Sequence, residues 1–322
     1  QLASRWVINF FDWPEEKCQY EYPEAYEIIE ARVKPERTRK DEKGNFILRK
    51  PLPQRWWIYA DKRPKLYSLI KKLSRVLVIA QVSRTVAFAF VSPRQVLDAK
   101  LVVFPFEQSR YFAVLQSSLH YHWAWRFCTT MKTDLSYTPS AIFLPFPIPG
   151  MGERTGLVLD EIGERYHEHR RALMLRLWLG LTDIYNLFHN RDLTPAIVAK
   201  ISKKPDDAEA GYQGIIELRK LHRELDEAVL AAYGWTAPST GSGYAINLGH
   251  DFHDVETLPE NDRVCYTISP DARKELLKRL LALNHQRAAE EKAKAPVKAA
   301  KRVKGKAAKG KTAAPDEPEL FG

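Results

Sequence analysis

The chain is short of several things that would settle a function at once. Its three cysteines, Cys18, Cys128 and Cys265, are widely spaced and supply neither a disulfide framework nor the paired spacing of a zinc site. They fit a reducing, cytoplasmic setting. No apolar run is long enough to span a membrane and no signal peptide opens the chain, so no membrane partner is expected. The first residue is Gln1 rather than Met, and the chain reads as a fragment. Candidate metal ligands cluster only thinly. His167 and His169, beside Arg170 and Arg171, lack a clear ligand set and read as a charged helix face, His189 reads as structural, and His250 and His253 in GHDFHD read as a plain loop.

What is present is a real core and a positive charge. The 322 residues have the length of about two domains, with 14 Tyr, 14 Phe and 8 Trp among 45% hydrophobic residues. The net charge is +10, and nine basic residues against three acids between Lys292 and Gly322 account for much of it. That stretch, rich in Ala, Lys and Gly, cannot bury enough surface to fold and reads as a disordered arm, attracted to phosphates or merely solubilising. A second basic run, Arg32 to Lys65, has twelve basic residues and four acids, interleaved with Trp56, Trp57 and Tyr59. Its composition suits a DNA backbone and a solvated loop equally well. The two tryptophans read as core.

Pattern places the elements. A short strand is expected over Trp6 to Phe11, then helices over Pro23 to Val33 and Pro64 to Leu73. RVLVIAQV and TVAFAFV read as antiparallel strands joined at Ser83-Arg84, with a third strand over Leu101 to Phe106 and a helix from Ser109. An Arg84 at a hairpin tip could reach a guanine, though exposed hairpin arginines are also common without a specific role. Past the linker Pro149 to Glu153 the chain turns helical, over Leu157 to Leu181 and Ile215 to Tyr233. A polar linker follows from Thr236, and then a last amphipathic helix over Ser269 to Glu291.

Between Leu115 and Pro149 a helical spacing of Leu115, Leu119, Trp123 and Phe127 leads into Lys132 and Asp134 on an extended segment, followed by an apolar strand over Ala141 to Phe146. Charges two apart on a strand point to one side, a donor and an acceptor placed to read one base pair; the same pattern also occurs as a solvated surface pair. Here the sequence resembles a known family. LQSSLHYHWAWRF, MKTDLSYTPS and FLPFPIP are similar to the end of the target-recognition domain of bacterial adenine-specific DNA methyltransferases, the single-chain family that includes type IIL restriction-modification enzymes. VINFFDWP, ARVKPER, RWWIYADKRP, RVLVIAQVSRTVAFAFV, LTDIYNLFH and AVLAAYGW extend the resemblance over roughly residues 5 to 235.

Pattern and resemblance together give an α+β chain: the resemblance implies a lead-in from an absent methyltransferase domain (1–31), a mixed or antiparallel-sheet DNA target-recognition domain (32–149) and a helical domain (150–235), and composition adds a linker with a C-terminal helix (236–291) and a disordered basic tail (292–322). It implies double-stranded DNA and the methyltransferase domain of the intact polypeptide as partners. It also implies S-adenosylmethionine as the cofactor of that absent domain. No Asn-Pro-Pro-Tyr or Asp-Pro-Pro-Tyr tetrapeptide and no Gly-rich strand-to-helix turn occurs here, so no catalytic residue is expected in this chain. Lys132 and Asp134 are the implied readers of a G·C pair, with Arg37, Arg39, Lys40, Arg55, Lys62 and Arg63 on the DNA backbone; Arg84 is kept, from its hairpin position alone, as a second-rank base contact. In one respect the chain departs from the family, which often has Arg where Ser136 stands. The rival reading is a scaffold or regulatory protein that holds nucleic acid nonspecifically through its tail.

Overall fold

The computed structural model describes residues 5–236 and 245–294. Its N-terminal part is a small cluster of helices, α1 (Glu15–Glu21), α2 (Pro23–Arg32) and α3 (Lys34–Arg37). Pro23 opens α2, where a missing N–H costs nothing. Phe10, Cys18, Tyr26, Ile29, Trp56 and Ile58 form the cluster's own core, and the Trp57 indole N–H donates to the Trp13 carbonyl at 2.9 Å. The tryptophans are therefore core, as expected, but they pack on the N-terminal helices rather than on the helix that follows them. The strand expected over Trp6 to Phe11 does not form. No neighbouring edge pairs with it among the described residues, Trp6 is fully exposed and Phe11 turns the chain with a φ of 49°. The helices that follow Phe10 thus share one core with Trp56 and Ile58.

After α4 (Pro64–Ile70) come β1 (Val76–Ala80), β2 (Val82–Ser83), β3 (Ala89–Val91) and β4 (Leu101–Phe104). As the β-branched runs predict, β1 is the centre of an antiparallel sheet in the order β3-β1-β4, with Leu77 opposite both Phe90 and Phe104. Alternation divides its faces. Leu77, Ile79, Phe90 and Phe104 enter the main core, whereas Val76, Val78 and Val91 meet Ile70 and Leu97 under α4. The two expected strands do pair, but Ser83-Arg84 is not their turn. β2 leaves the first sheet for another, because Val86 and Phe88 sink into the core before β3 begins.

The helical spacing from Leu115 is realised as two helices, α5 (Ser109–Gln116) and α6 (Ser118–Phe127), broken where Ser117 caps α6 with its hydroxyl. A hairpin, β5 (Thr129–Met131) and β6 (Asp134–Ser136), follows, and then α7 (Pro139–Ile142). The strand expected over Ala141 to Phe146 is absent. Pro139 starts a helical turn, Pro145 and Pro147 remove ladder donors, and the Trp123 indole N–H donates to the Ile142 carbonyl at 2.9 Å.

The remaining helices are α8 (Glu153–Leu177), α9 (Leu181–Phe188), α10 (Pro195–Ile201), α11 (Ala208–Ala232) and α12 (Pro270–Lys294). Long α8 lies across α5 at Gly163, where any side chain would overlap the Ser109 carbonyl. One apolar core runs from Leu77 through Leu177 to Leu280, so the turn near residue 149 marks a change of secondary structure but not of core. The segment expected as a linker is also folded in part: β7 (Asp251–Asp254) pairs with β8 (Val264–Thr267), and Leu248, Val255 and Leu258 are buried. The last four residues of GHDFHD are accordingly the whole of strand β7, not a loop. α12 matches its expected position, and the expected tail from 295 onward lies outside the described residues, as do 237–244. Small antiparallel sheets with a majority of helix make the chain α+β, and no helix among the described residues is long and apolar enough to cross a membrane.

Several polar groups are buried where the pattern expected solvent. Arg170, 2% exposed, donates to Gln116 Oε1 (3.2 Å), the Tyr185 hydroxyl (2.9 Å) and the Phe88 carbonyl. His167 beside it is buried too, so the charged helix face expected there is an internal seam. Fully buried Asp226 accepts from the Ser118 N–H (2.7 Å) and lies 2.8 Å from His250 Nε2. Burial pushes its carboxyl up, but nearby His222 and the His250 and Ser118 hydrogen bonds outweigh that and hold it below the usual range.

His120 and His122 yield a pH prediction. Both are buried, and desolvation lowers each to about 3. Their unfolded value is near 6.5, so below it the unfolded chain binds protons that the native chain refuses. Stability is then full above about pH 6.5 and is lost as pH falls toward 3, by about 1.4 kcal/mol per pH unit for each histidine. The urea midpoint should fall between pH 7 and pH 5, and less steeply in His122→Asn.

Candidate nucleic-acid interface

The second sheet, in the order β2-β6-β5, is rooted in the core and exposed at one end. Leu135 and Tyr137 are buried, Ser136 stands opposite both Val82 and Thr129, and the Tyr137 N–H donates to the Gln81 carbonyl at 2.7 Å. Thr129 to Thr133 are exposed. Met131 pairs with Asp134, which leaves Lys132 and Thr133 as a two-residue loop with Lys132 at a φ of 59°. Lys132 therefore sits in the tight turn itself and Asp134 opens the strand that leaves it, so the two do not alternate along one strand. Both still crown the same end of the sheet.

Arg84 arrives there from the other edge. Ser83 pairs with Leu135, so the next residue stands level with Asp134. The guanidinium is not idle: it donates to both carboxylate oxygens of Asp262, in the short turn before β8. That hydrogen-bonded carboxylate pushes the Arg84 pKa up, and the charge of Asp134 adds to the effect. Lys132, Asp134 and Arg84, separated by some fifty positions in the chain, are thus gathered at one sheet end by strand pairing. Asp262 joins them from outside any motif in the sequence. A cavity of about 250 Å³ lies behind this end, bordered by Arg84, Thr133, Tyr121, Trp125 and Asp262.

The six cations expected on the DNA backbone divide into two groups. Arg37 donates to the carbonyls of Trp56 and Ile58, Arg55 and Lys62 pair with Asp12, and Arg63 donates to the Ala99 carbonyl. These four brace the N-terminal unit and its junction with β4. Arg39 and Lys40 are different. With Lys43, Arg49 and Lys50 they occupy an exposed finger, and no side-chain hydrogen bond or ion pair engages any of the five among the described residues. Gln81 donates to the Lys100 carbonyl at 2.7 Å beside Ala99, so Arg63 and the second sheet attach at the same end of the first.

One group of potential metal ligands occurs among the described residues, Glu164, His167 and Glu168. It does not suit a cation. Glu164 already accepts from Arg75 at 2.7 and 3.1 Å and from Ser109, and Arg75 before all else holds its carboxyl low.

Residues 59–150 match the family model described as MmeI, target recognition domain. This segment is similar to an MmeI-type target recognition domain. It contains β1 to β6 and all three expected base-reading residues, but neither the exposed finger nor Asp262. A solved structure of the type IIL restriction-modification enzyme MmeI in complex with DNA is similar over 79% of this chain, at 14% identity and a TM-score of 0.42. The match covers 25% of that enzyme's chain, so this chain spans about a quarter of its length. No curated protein matches.

The division of the cations can be measured. Arg37→Ala should destabilise the N-terminal unit by about 1–3 kcal/mol in chemical unfolding, because two buried carbonyls lose their donor. Arg39→Ala with Lys40→Ala should leave stability unchanged and reduce the slope of log affinity for duplex DNA against log salt by about one for each residue.

Proposed function

We propose that this chain reads DNA sequence for a site-specific adenine methyltransferase of the type IIL restriction-modification kind, whose catalytic domain lies on the same polypeptide. The observation that carries the reading is the coincidence of the MmeI-type domain over residues 59–150 with an exposed, core-rooted sheet end that bears Lys132, Asp134 and Arg84. Lys132 donates to the guanine O6 and N7 acceptors in the major groove, and Asp134 accepts from the cytosine amino group of the same pair. The turn that carries Lys132 is compatible with this division, since it sets that side chain beside Asp134 at one end of the sheet. Arg84 is a weaker candidate, because Asp262 already takes two of its donors.

Swapping the polarity tests the pair. Lys132→Glu with Asp134→Arg should move the preference from G to C at one position of the target and leave the remainder unchanged, at a mismatch cost of about 1–3 kcal/mol. Mapping of methylated sites in the intact enzyme reads it directly. An unchanged motif, or equal loss on all sequences, would assign the two residues to structure or to phosphate contact.

The methyl donor and the flipped adenine belong, on this reading, to the catalytic domain, whose motifs are missing from residues 1–322. The purified chain should therefore bind no S-adenosylmethionine in calorimetry. Transfer of labelled methyl groups to DNA by the chain alone would contradict the assignment.

A further inference from the structure

The finger over residues 39–50 has more than charge. Arg39, Lys40 and Lys43 precede Phe46, Ile47 and Leu48, and Arg49 and Lys50 follow them; every one of these residues is exposed, with the three apolar side chains at 41%, 52% and 37%. A soluble surface seldom leaves three consecutive large apolar side chains in water without a use for them. Nor is the segment a loose loop. Asp41 Oδ1 accepts from the Lys43 and Asn45 N–H groups at 2.9 and 2.8 Å, Gly44 supplies a φ of 80°, and Lys40 bridges Phe46. The Ile47 N–H donates to the Arg39 carbonyl at 3.0 Å. At the base, the Thr38 hydroxyl donates to the Lys34 carbonyl and Arg37 holds the Trp56 and Ile58 carbonyls. The Asp41 carboxylate is occupied within the turn, which leaves Glu42 as the one acid against five cations that make no ion pair among the described residues, Lys40 lying over the Phe46 ring at 5.2 Å.

We propose that this finger is a DNA wedge: Phe46, Ile47 and Leu48 enter the minor groove at a base step while Arg39, Lys40, Lys43, Arg49 and Lys50 neutralise the flanking phosphates. The proposal rests on the DNA-reading function above and adds to it a deforming contact outside the matched domain. Charge chooses the occupant. A strip of apolar side chains between cations that no acid neutralises complements a duplex, whose grooves are apolar at the sugars and base faces and whose rims are phosphate. Wedging partly unstacks a step and bends the duplex, and the bend would be set by a rigid turn that its own hydrogen bonds already shape.

The test uses the full chain and two duplexes of about 30 base pairs, one recovered by selection from a random library and one of random sequence, each labelled at its ends for energy transfer. The variant carries Phe46→Ala, Ile47→Ala and Leu48→Ala. These side chains are exposed, so its thermal unfolding should match the wild type. Its bend should disappear on both duplexes, and affinity should fall about tenfold with the salt slope unchanged, since no cation is removed. Phe46→Trp should retain the bend. A triple variant that bends and binds as the wild type does would overturn the wedge and leave the reading function standing. If that variant instead loses only its association with the separately expressed catalytic domain, the finger is a protein contact and the wedge is wrong. Failure of selection to enrich any motif counts against the reading function, while bending of the random duplex still decides the wedge. A wild-type chain that binds neither duplex overturns both.

Discussion

A buried guanidinium must be given acceptors, and meeting that demand for Arg170 shapes the recognition half of the molecule. Its donors go to Gln116, Tyr185 and the Phe88 carbonyl, while Gln116 accepts from the Phe88 N–H at 3.0 Å and donates to the Val86 carbonyl at 3.2 Å. Backbone groups of Val86 and Phe88 that would otherwise extend the β1–β3 ladder are thereby satisfied by side chains of α5 and α8. The chain between β1 and β3 is free to leave the first sheet, and Val82 and Ser83 pair with β6 instead. The hairpin of β5 and β6 has a supporting strand because Arg170 holds the residues after that strand down.

The same tie makes the recognition and helical regions one body. α5 and α8 pack along their lengths, and Asp226 on α11 accepts from the N-terminal N–H of α6 while it holds His250 at the start of the C-terminal β-hairpin. Asp262 of that hairpin reaches Arg84. A surface that must distinguish base pairs by hydrogen bonds of fixed geometry gains from such bracing, since a shift of about 1 Å is enough to spoil a directional contact. Removal of everything after residue 150 would take away Arg170, Asp226 and Asp262 together.

Charge is allotted by tertiary context. Arg37, Arg55, Lys62 and Arg63 are drawn into bonds by carbonyls and by Asp12, whereas the finger that follows α3 keeps its cations in water. Cations of identical composition within thirty residues therefore do different work, and a local net charge cannot separate them.

The sequence by itself determined the elements with strong periodicity or clear punctuation: the β-branched centre of the first sheet, the helices opened by Pro23 and Pro64, α11 with its closing Gly234, and the amphipathic α12. It also exposed the motifs that carry the recognition domain and the pair Lys132 and Asp134, because residue types and their order are local facts. It misplaced what depends on partners. Trp6 to Phe11 and Ala141 to Phe146 have strand composition but no edge to pair with or too few N–H groups to donate, His167 and Arg170 look like a solvated face until a second helix covers them, and GHDFHD looks like a loop until β8 lies beside it. Only the tertiary structure decided that Arg84, Lys132 and Asp134 share one sheet end and that Asp262 joins them. Strand register and burial are set by contacts between residues far apart in the chain, and such contacts leave no mark on a local pattern.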